Sequence, residues 1–264
     1  MIPRTIHYCW FGKGEKSKLI LDCIESWRKY CPDFEIIEWN EDNFDIGNSC
    51  QYVREAYDAK KWAFVSDYVR HAILDKFGGI YLDTDVEIIK PLEGLLEHPF
   101  LALENANSIN TGLIMGCESG NEYCKWMLNS YENDCFILVN GELNVYTVCE
   151  RTTKYFKEHG FINRNIAQEI DGFMIYPTEY FCPKDPITFE MQLTENTVSI
   201  HHYGASWCTE EQKYYFQLRM KYVKKYPYKI ASVISYYKAK KAYHGTMKAI
   251  VATAKKIIRK NRGR

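Results

Sequence analysis

The chain has 264 residues, 46% of them hydrophobic and 26% charged, and a formal net charge of zero, which excludes a disordered polyelectrolyte, a collagen-like repeat or a chain that lives inside a bilayer. The length suffices for one large domain or two small ones. The zero hides a split, because residues 212–264 hold 16 Lys/Arg and no acid (+16) while residues 1–211 hold 18 basic against 34 acidic residues (−16), so the tail is expected to have an anionic partner.

The first stretch, Ile2–Phe11, is rich in β-branched and aromatic residues and ends at the turn signal Gly12-Lys13-Gly14, which predicts a strand. Leu19–Tyr30 has helical spacing through Leu19, Cys23, Ile24 and Trp27 and stops before Pro32. A second strand is predicted over Phe34–Trp39, and helical patterns then run from Gln51 to Phe77. Gly78-Gly79 breaks them, and Ile80-Tyr81-Leu82 enters Asp83 as a short strand. Alternating strands and helices predict an α/β sheet with crossover helices. Farther on, Phe100–Glu104 and Thr111–Cys117 read as strands, Glu122–Tyr131 and Thr152–His159 as helices, and Thr197–His202 as one more strand. From Glu210 the chain reads as helix with a break at Pro227, so a catalytic domain over 1–210 and a basic helical extension over 211–264 are expected.

Ten cysteines without a CxxC pair or zinc-ligand spacing suit reduced thiols, and no secretory signal or window of about 18 apolar residues is present, so a cytoplasmic protein is expected. The 21 tyrosines fit a tyrosine-rich core, and equally the faces of sugars and nucleotides.

The acidic triplet Asp83-Thr84-Asp85 follows the short apolar strand. On a regular strand both carboxylates point to one face, and carboxylate oxygens suit a hard divalent cation that keeps positions open for phosphate oxygens. The alternative is a solvated turn. In the helix before it, Trp62, Val65, Val69, Ile73 and Phe77 form a core stripe, with Asp67 and Arg70 as i, i+3 neighbours beside it. Such a pair is either a surface ion pair or a grip for sugar hydroxyls and a phosphate.

The run Ala63-Phe64-Val65-Ser66-Asp67-Tyr68-Val69-Arg70, followed by Gly78-Gly79-Ile80-Tyr81-Leu82-Asp83-Thr84-Asp85, resembles the DXD-containing sugar transferases of glycosyltransferase family 32. That family includes capsular-polysaccharide transferases and is similar to the catalytic domain of the large clostridial glucosylating toxins. The blocks Ile2–Gly12 and His201–Trp207 extend the resemblance, in order, over about residues 1–210. It implies a GT-A-type α/β fold, with a mostly parallel sheet flanked by helices. It also implies a nucleotide-sugar donor (a UDP-sugar favoured), Mn²⁺ or Mg²⁺, retention of anomeric configuration, and a saccharide or lipid-linked acceptor in capsule or surface-glycan synthesis. By the same resemblance His7, Tyr8 and Trp10 cradle the base and ribose, and Asp67, Arg70, Ser66 and Tyr81 face the donor. Asp85 coordinates the metal directly, with Asp83 on metal, metal-bound water or ribose, and one of His201 or His202, with His201 favoured, completes the site. Ser206 and Trp207 close over the diphosphate, and Asn110 faces sugar. No side chain is an evident nucleophile, with Glu104, Asn105 and Asn110 the only nearby candidates, so front-face substitution is expected, with the leaving phosphate helping to deprotonate the acceptor hydroxyl.

In the tail, Ile230, Val233, Ile234, Tyr237, Met247, Ile250, Val251, Ala254, Ile257 and Ile258 recur at helical spacing among Lys and Arg. That pattern suits an anionic membrane surface on its cytoplasmic side or docking onto the acidic domain, and no nucleic-acid motif appears. A haloacid-dehalogenase-type phosphatase also uses Asp-x-Asp, but it needs Thr or Val where Glu87 stands and carries the motif near its start. A non-catalytic sugar-nucleotide-binding scaffold is the remaining rival; it should show a broken triplet or lack Arg70.

Overall fold

The computed structural model describes residues 1–185, 188, 190–204 and 209–262. The chain divides into two compact units, residues 1–183 with 192–202, and residues 184–191 with 203–264.

In the first unit β1 (Thr5–Cys9) leads to α1 (Lys18–Tyr30), which starts where the Ser17 hydroxyl accepts the Ile20 N–H and buries Ile20, Cys23, Ile24 and Trp27. β2 (Glu35–Trp39) follows, and then α2 (Gln51–Asp58) and α3 (Trp62–Phe77). The predicted helical stretch is interrupted because Lys60 adopts φ 55°, a left-handed conformation that ends α2. After α3 come β3 (Gly79–Tyr81), β4 (Val86–Ile88), β5 (Phe100–Asn105), β6 (Ser108–Ile109) and β7 (Met115–Cys117). Next are α4 (Glu122–Glu132), α5 (Val148–Glu158), β8 (Gln168–Ile170), β9 (Phe173–Tyr176), α6 (Thr178–Phe181) and β10 (Ser199–His201).

One boundary and one hairpin differ from expectation for identifiable reasons. α5 begins four residues before the predicted Thr152, because Thr147 and Glu150 form a reciprocal capping box. β8 and β9 were not anticipated. They are joined by Asp171-Gly172, both at positive φ, as a two-residue hairpin turn requires.

The main sheet runs β2-β1-β3-β7-β5-β9-β8, with β6 on β5. β2, β1, β3, β5 and β9 share one direction, while β7, β6 and β8 oppose it. This is the mixed α/β sheet with mostly parallel strands that the resemblance implies. α3 packs Val65, Val69, Ile73 and Leu74 into the core and contacts β1 and β3. Its last stripe residue, Phe77, is instead 44% exposed and lies 5.4 Å from the Trp39 ring. β4 and β10 form a separate antiparallel pair with His201 opposite Val86.

The second unit is built from α7 (Glu210–Val223), α8 (Tyr228–His244) and α9 (Thr246–Arg262). α7 and α8 are separated at Pro227 and α8 and α9 at Gly245, whose φ of 81° suits glycine. Glu211 ties α7 to α8 through Lys240 at 2.7 Å and His244 at 2.8 Å. Among the described residues no helix is long and apolar enough to cross a membrane.

Candidate active site

The site begins where α3 turns directly into β3. Gly78 and Gly79 hold φ of 65° and 103° there, and a Cβ on Gly79 would sit 2.8 Å from His7 Nε2 and from the Thr5 carbonyl. Only glycine permits so short a reversal, and it delivers the chain through Leu82 to Asp83.

The two carboxylates are brought together differently from the strand alternation expected. Residues 83–85 form a turn, with the Val86 N–H donating to the Asp83 carbonyl at 3.1 Å. β10 then places His201 against it, so ligand atoms of Asp83, Asp85 and His201 all lie within 4.8 Å of one another. His201 Nε2 is 3.2 Å from Asp85 Oδ1. The adjacent His202 points the other way and meets Glu87 at 2.8 Å, as side-chain alternation demands. The register of β10 on β4 therefore turns His201, and not His202, towards the two carboxylates. Burial works against a charge on His201, and Asp85, Asp83 and Glu104 outweigh it, so its pKa is raised. Two carboxylates and an imidazole converging on one position are a donor set that Mn²⁺ or Mg²⁺ can use.

Arg70 organises the rest. It is 3% exposed, and its Nη2 lies 2.9 Å from Asp67 Oδ1 and 3.2 Å from Asp83 Oδ1. Its Nη1 donates to the Thr111 hydroxyl at 3.3 Å and its Nε to the Ser66 carbonyl at 3.1 Å. The guanidinium stacks on Tyr81 at 4.6 Å, and the Tyr81 hydroxyl donates to Asp83 Oδ1 at 3.1 Å. Asp67 and Arg70 are thus a buried pair, not a helix-surface one. Burial pushes the Asp67 carboxyl up to about 6, against the pull of Arg70 and of the Val148 N–H at the start of α5. The Ser66 hydroxyl is spent on the Trp62 carbonyl at 3.0 Å.

The loop before β7 closes the floor. Asn110 Oδ1 accepts the Gly112 N–H at 2.7 Å, and the Gly112 carbonyl accepts the Asp83 N–H at 2.9 Å. The Asn110 side chain also hydrogen-bonds Glu104, whose pKa burial raises against the influence of His201 and Asn110. Thr111 and Gly112 join the cluster, signalled in the sequence only by the Asn110-Thr111-Gly112 turn, which has many other uses, and Glu104, offered by the sequence only as a candidate nucleophile, joins it through Asn110.

The residues expected at the nucleotide are placed less uniformly. His7 is 1% exposed. Trp39 Nε1 donates to its Nδ1 at 3.1 Å, so Nε2 carries the proton and donates to the Gly78 carbonyl at 2.9 Å. Tyr8 is buried, and its hydroxyl donates to Glu38 at 2.6 Å. Tyr81 is likewise a core residue that steers Asp83. Trp10 is half-buried at the end of β1, with its indole N–H on the Gly14 carbonyl at 2.7 Å. Ser206 and Trp207 lie outside the described residues.

Residues 17–102 match a family described as the glycosyltransferase sugar-binding region containing the DXD motif. The chain is 30% identical over 128 residues to inositol phosphoceramide mannosyltransferase 3 of Schizosaccharomyces pombe, an alignment covering 46% of this chain and 35% of that protein. The chain thus spans about a third of the length of that relative. Two solved structures are similar at low identity. The PaToxG glycosyltransferase has a TM-score of 0.44 and 16% identity over 58% of this chain and 66% of that one. A glycosyltransferase involved in glycosylation of the major capsid of PBCV-1 has a TM-score of 0.42 and 13% identity over 83% and 98%. The stretch that matches the DXD-containing glycosyltransferase sugar-binding region holds Asp67, Arg70 and one D-x-D sequence, Asp83-Thr84-Asp85.

Proposed function

We propose that this chain is a metal-dependent glycosyltransferase that moves a hexose from a nucleotide sugar, with a UDP-sugar favoured, to a saccharide or lipid-linked saccharide acceptor. The observation that carries this reading is the convergence of Asp83, Asp85 and His201 beside the Arg70 hub, inside the stretch that matches the DXD sugar-binding region. Asp85, His201 and Asp83 would hold Mn²⁺ or Mg²⁺, which supplies positive charge to the diphosphate that leaves. Asp67 and Arg70 orient the donor sugar and present a fixed cation to the phosphates at no reorganisation cost. Tyr81 and Thr111 hold Asp83 and Arg70 in place. Trp10 offers the ring for stacking on the base, and Ser206 with Trp207 covers the diphosphate. Transfer proceeds with retention by front-face attack, and Glu104 is a half-buried carboxyl beside this chemistry. The product belongs to capsule, exopolysaccharide or surface-glycan synthesis.

The extension over 211–264 brings the enzyme to an anionic membrane surface on the cytoplasmic side. α9 supports this: Met247, Ile250, Val251, Ile257 and Ile258 are each 43–76% exposed, while the small residues Ala249 and Thr253 are buried. At about 100° per residue the large apolar residues share one face of the helix, so its docked side is the small one and its greasy side is open.

The purified chain, incubated with UDP- and GDP-sugars with and without EDTA, should release nucleoside diphosphate only with metal. Asp85→Ala should lower the rate and the Mn²⁺ affinity by at least ~100-fold with an unchanged circular dichroism spectrum. Failure to bind or cleave any donor would sink this reading.

A further inference from the structure

We propose that a separate cleft beside Asp67 is the subsite for the acceptor, and that it is built for a saccharide. The proposal rests on the transferase reading for its role and on its own geometry for its ligand. The cleft has a volume of about 400 Å³ and is lined by Trp126, Asp134, Asn144, Tyr146, Arg151 and Lys154. That lies in the roughly 300–1,000 Å³ range of small-molecule sites.

The floor is preformed. Arg151 is 5% exposed and sits over Tyr131 at 4.1 Å, with Tyr146 at 5.0 Å. Its guanidinium is paired with Asp134 and donates to the Ser130 carbonyl at 3.1 Å. One wall is the loop before α5. The Glu55 carboxylate accepts the Phe136 and Ile137 N–H groups at 2.8 and 2.9 Å, and the Asn144 N–H donates to the Phe136 carbonyl at 2.8 Å. The opposite wall is Trp126, packed at 4.7 Å on Tyr155. These groups are fixed by the protein, so a ligand pays little to order them.

What remains open has the chemistry of a sugar site. Trp126 and Tyr146 offer apolar ring faces for the C–H face of a pyranose. Lys154 offers an ammonium and the part-exposed Asp134 its second carboxylate oxygen for the hydroxyls, while the Asn144 amide holds the wall by accepting the Tyr146 N–H at 3.2 Å and donating to the Cys135 carbonyl at 3.3 Å. Lys154 is exposed and makes no ion pair among the described residues. The position relative to the donor machinery follows from α5. α5 packs against α3, which carries Asp67 and Arg70, with the Val148 N–H at the start of α5 beside Asp67, and Arg151 on the cleft floor follows three residues later, about 4.5 Å along the axis at 1.5 Å per residue. Asp67 thus adjoins both Arg70 and the start of the cleft helix. The buried Arg151 cage has a structural use by itself, so the test falls on the open residues Trp126 and Lys154.

Saturation-transfer NMR with methyl glycosides of hexoses, hexosamines and glucuronic acid would test the cleft directly. At least one glycoside should bind the full chain, and Trp126→Ala and Lys154→Ala should each weaken that binding at least ~10-fold, while UDP-sugar affinity stays within about twofold. Asp85→Ala should leave glycoside binding intact. Absence of glycoside binding to the unmodified chain, or equal affinity in both variants, would overturn the proposal. Glycoside binding to a chain that cleaves no donor would remove the transferase reading and leave the cleft a saccharide site.

Discussion

Gly112→Ala probes how tightly the acidic turn is held. Gly112 does not need a left-handed φ, so its constraint is space. A Cβ there would lie 1.9 Å from Asp83 Oδ2, 2.7 Å from Asp83 Cγ and 3.0 Å from Arg70 Nη1. A free carboxylate would rotate away at little cost. This one is tethered by the Tyr81 hydroxyl at 3.1 Å and by Arg70 at 3.2 Å, so moving it breaks both contacts. Two charge-assisted hydrogen bonds together are worth about 3–6 kcal/mol, and Arg70 is left buried with one carboxylate fewer. The unfolding midpoint should fall by roughly 10–20 °C. The displaced carboxylate also leaves the Asp83, Asp85 and His201 cluster proposed to hold the metal, so Mn²⁺ affinity, followed by loss of the free-ion EPR signal in the presence of UDP, should weaken by about 10–100-fold. Gly94→Ala is the control, because nothing lies within 4 Å of a Cβ there. If Gly112→Ala matches that control in both stability and Mn²⁺ affinity, Asp83 is not held as described and the preorganised turn is wrong.

Two further outcomes are expected. Burial lowers the His7 pKa to about 4, against a smaller opposing contribution from the Gly78 carbonyl. The folded state therefore binds fewer protons than the unfolded one between pH 6.5 and 4. The associated stability is present above pH 6.5 and is lost as the pH falls towards 4, by about 2 kcal/mol at pH 5. His7→Gln keeps both hydrogen-bonding roles without the titration, so urea midpoints of the two proteins should converge as pH drops from 7 to 5. Parallel pH curves would show that His7 does not titrate in this way. At the tail, Ile250→Asp with Ile257→Asp should abolish flotation of the full chain with phosphatidylcholine vesicles containing phosphatidylglycerol, which the unmodified chain should show in a salt-sensitive manner. Equal flotation of the two proteins would refute α9 as the docking face.

Much of the fold could be read from local pattern, because the relevant signals are short-ranged. The helical spacing of Leu19, Cys23, Ile24 and Trp27, the apolar run before Asp83 and the break at Gly78-Gly79 each act within one or two turns of chain. The features that were missed, the start of α5 and the β8–β9 hairpin, carried local signals as well: the capping box at Thr147 and Glu150, and the Asp171-Gly172 turn. They were obscured by weak apolar periodicity around them. Sequence determined which residue types occur and in what order, so it supplied Asp67, Arg70 and the Asp83-Thr84-Asp85 triplet. It could not decide that Arg70 lies buried between two carboxylates, that a turn and not a strand face gathers Asp83 with Asp85, or that His201 rather than His202 looks inward. Those outcomes depend on the register of β10 against β4 and on the loop at Gly112 packing under Asp83, contacts between segments about 30 to 115 residues apart. Pairings at such separation are set by the whole core at once, which is why the residues were legible and their arrangement was not.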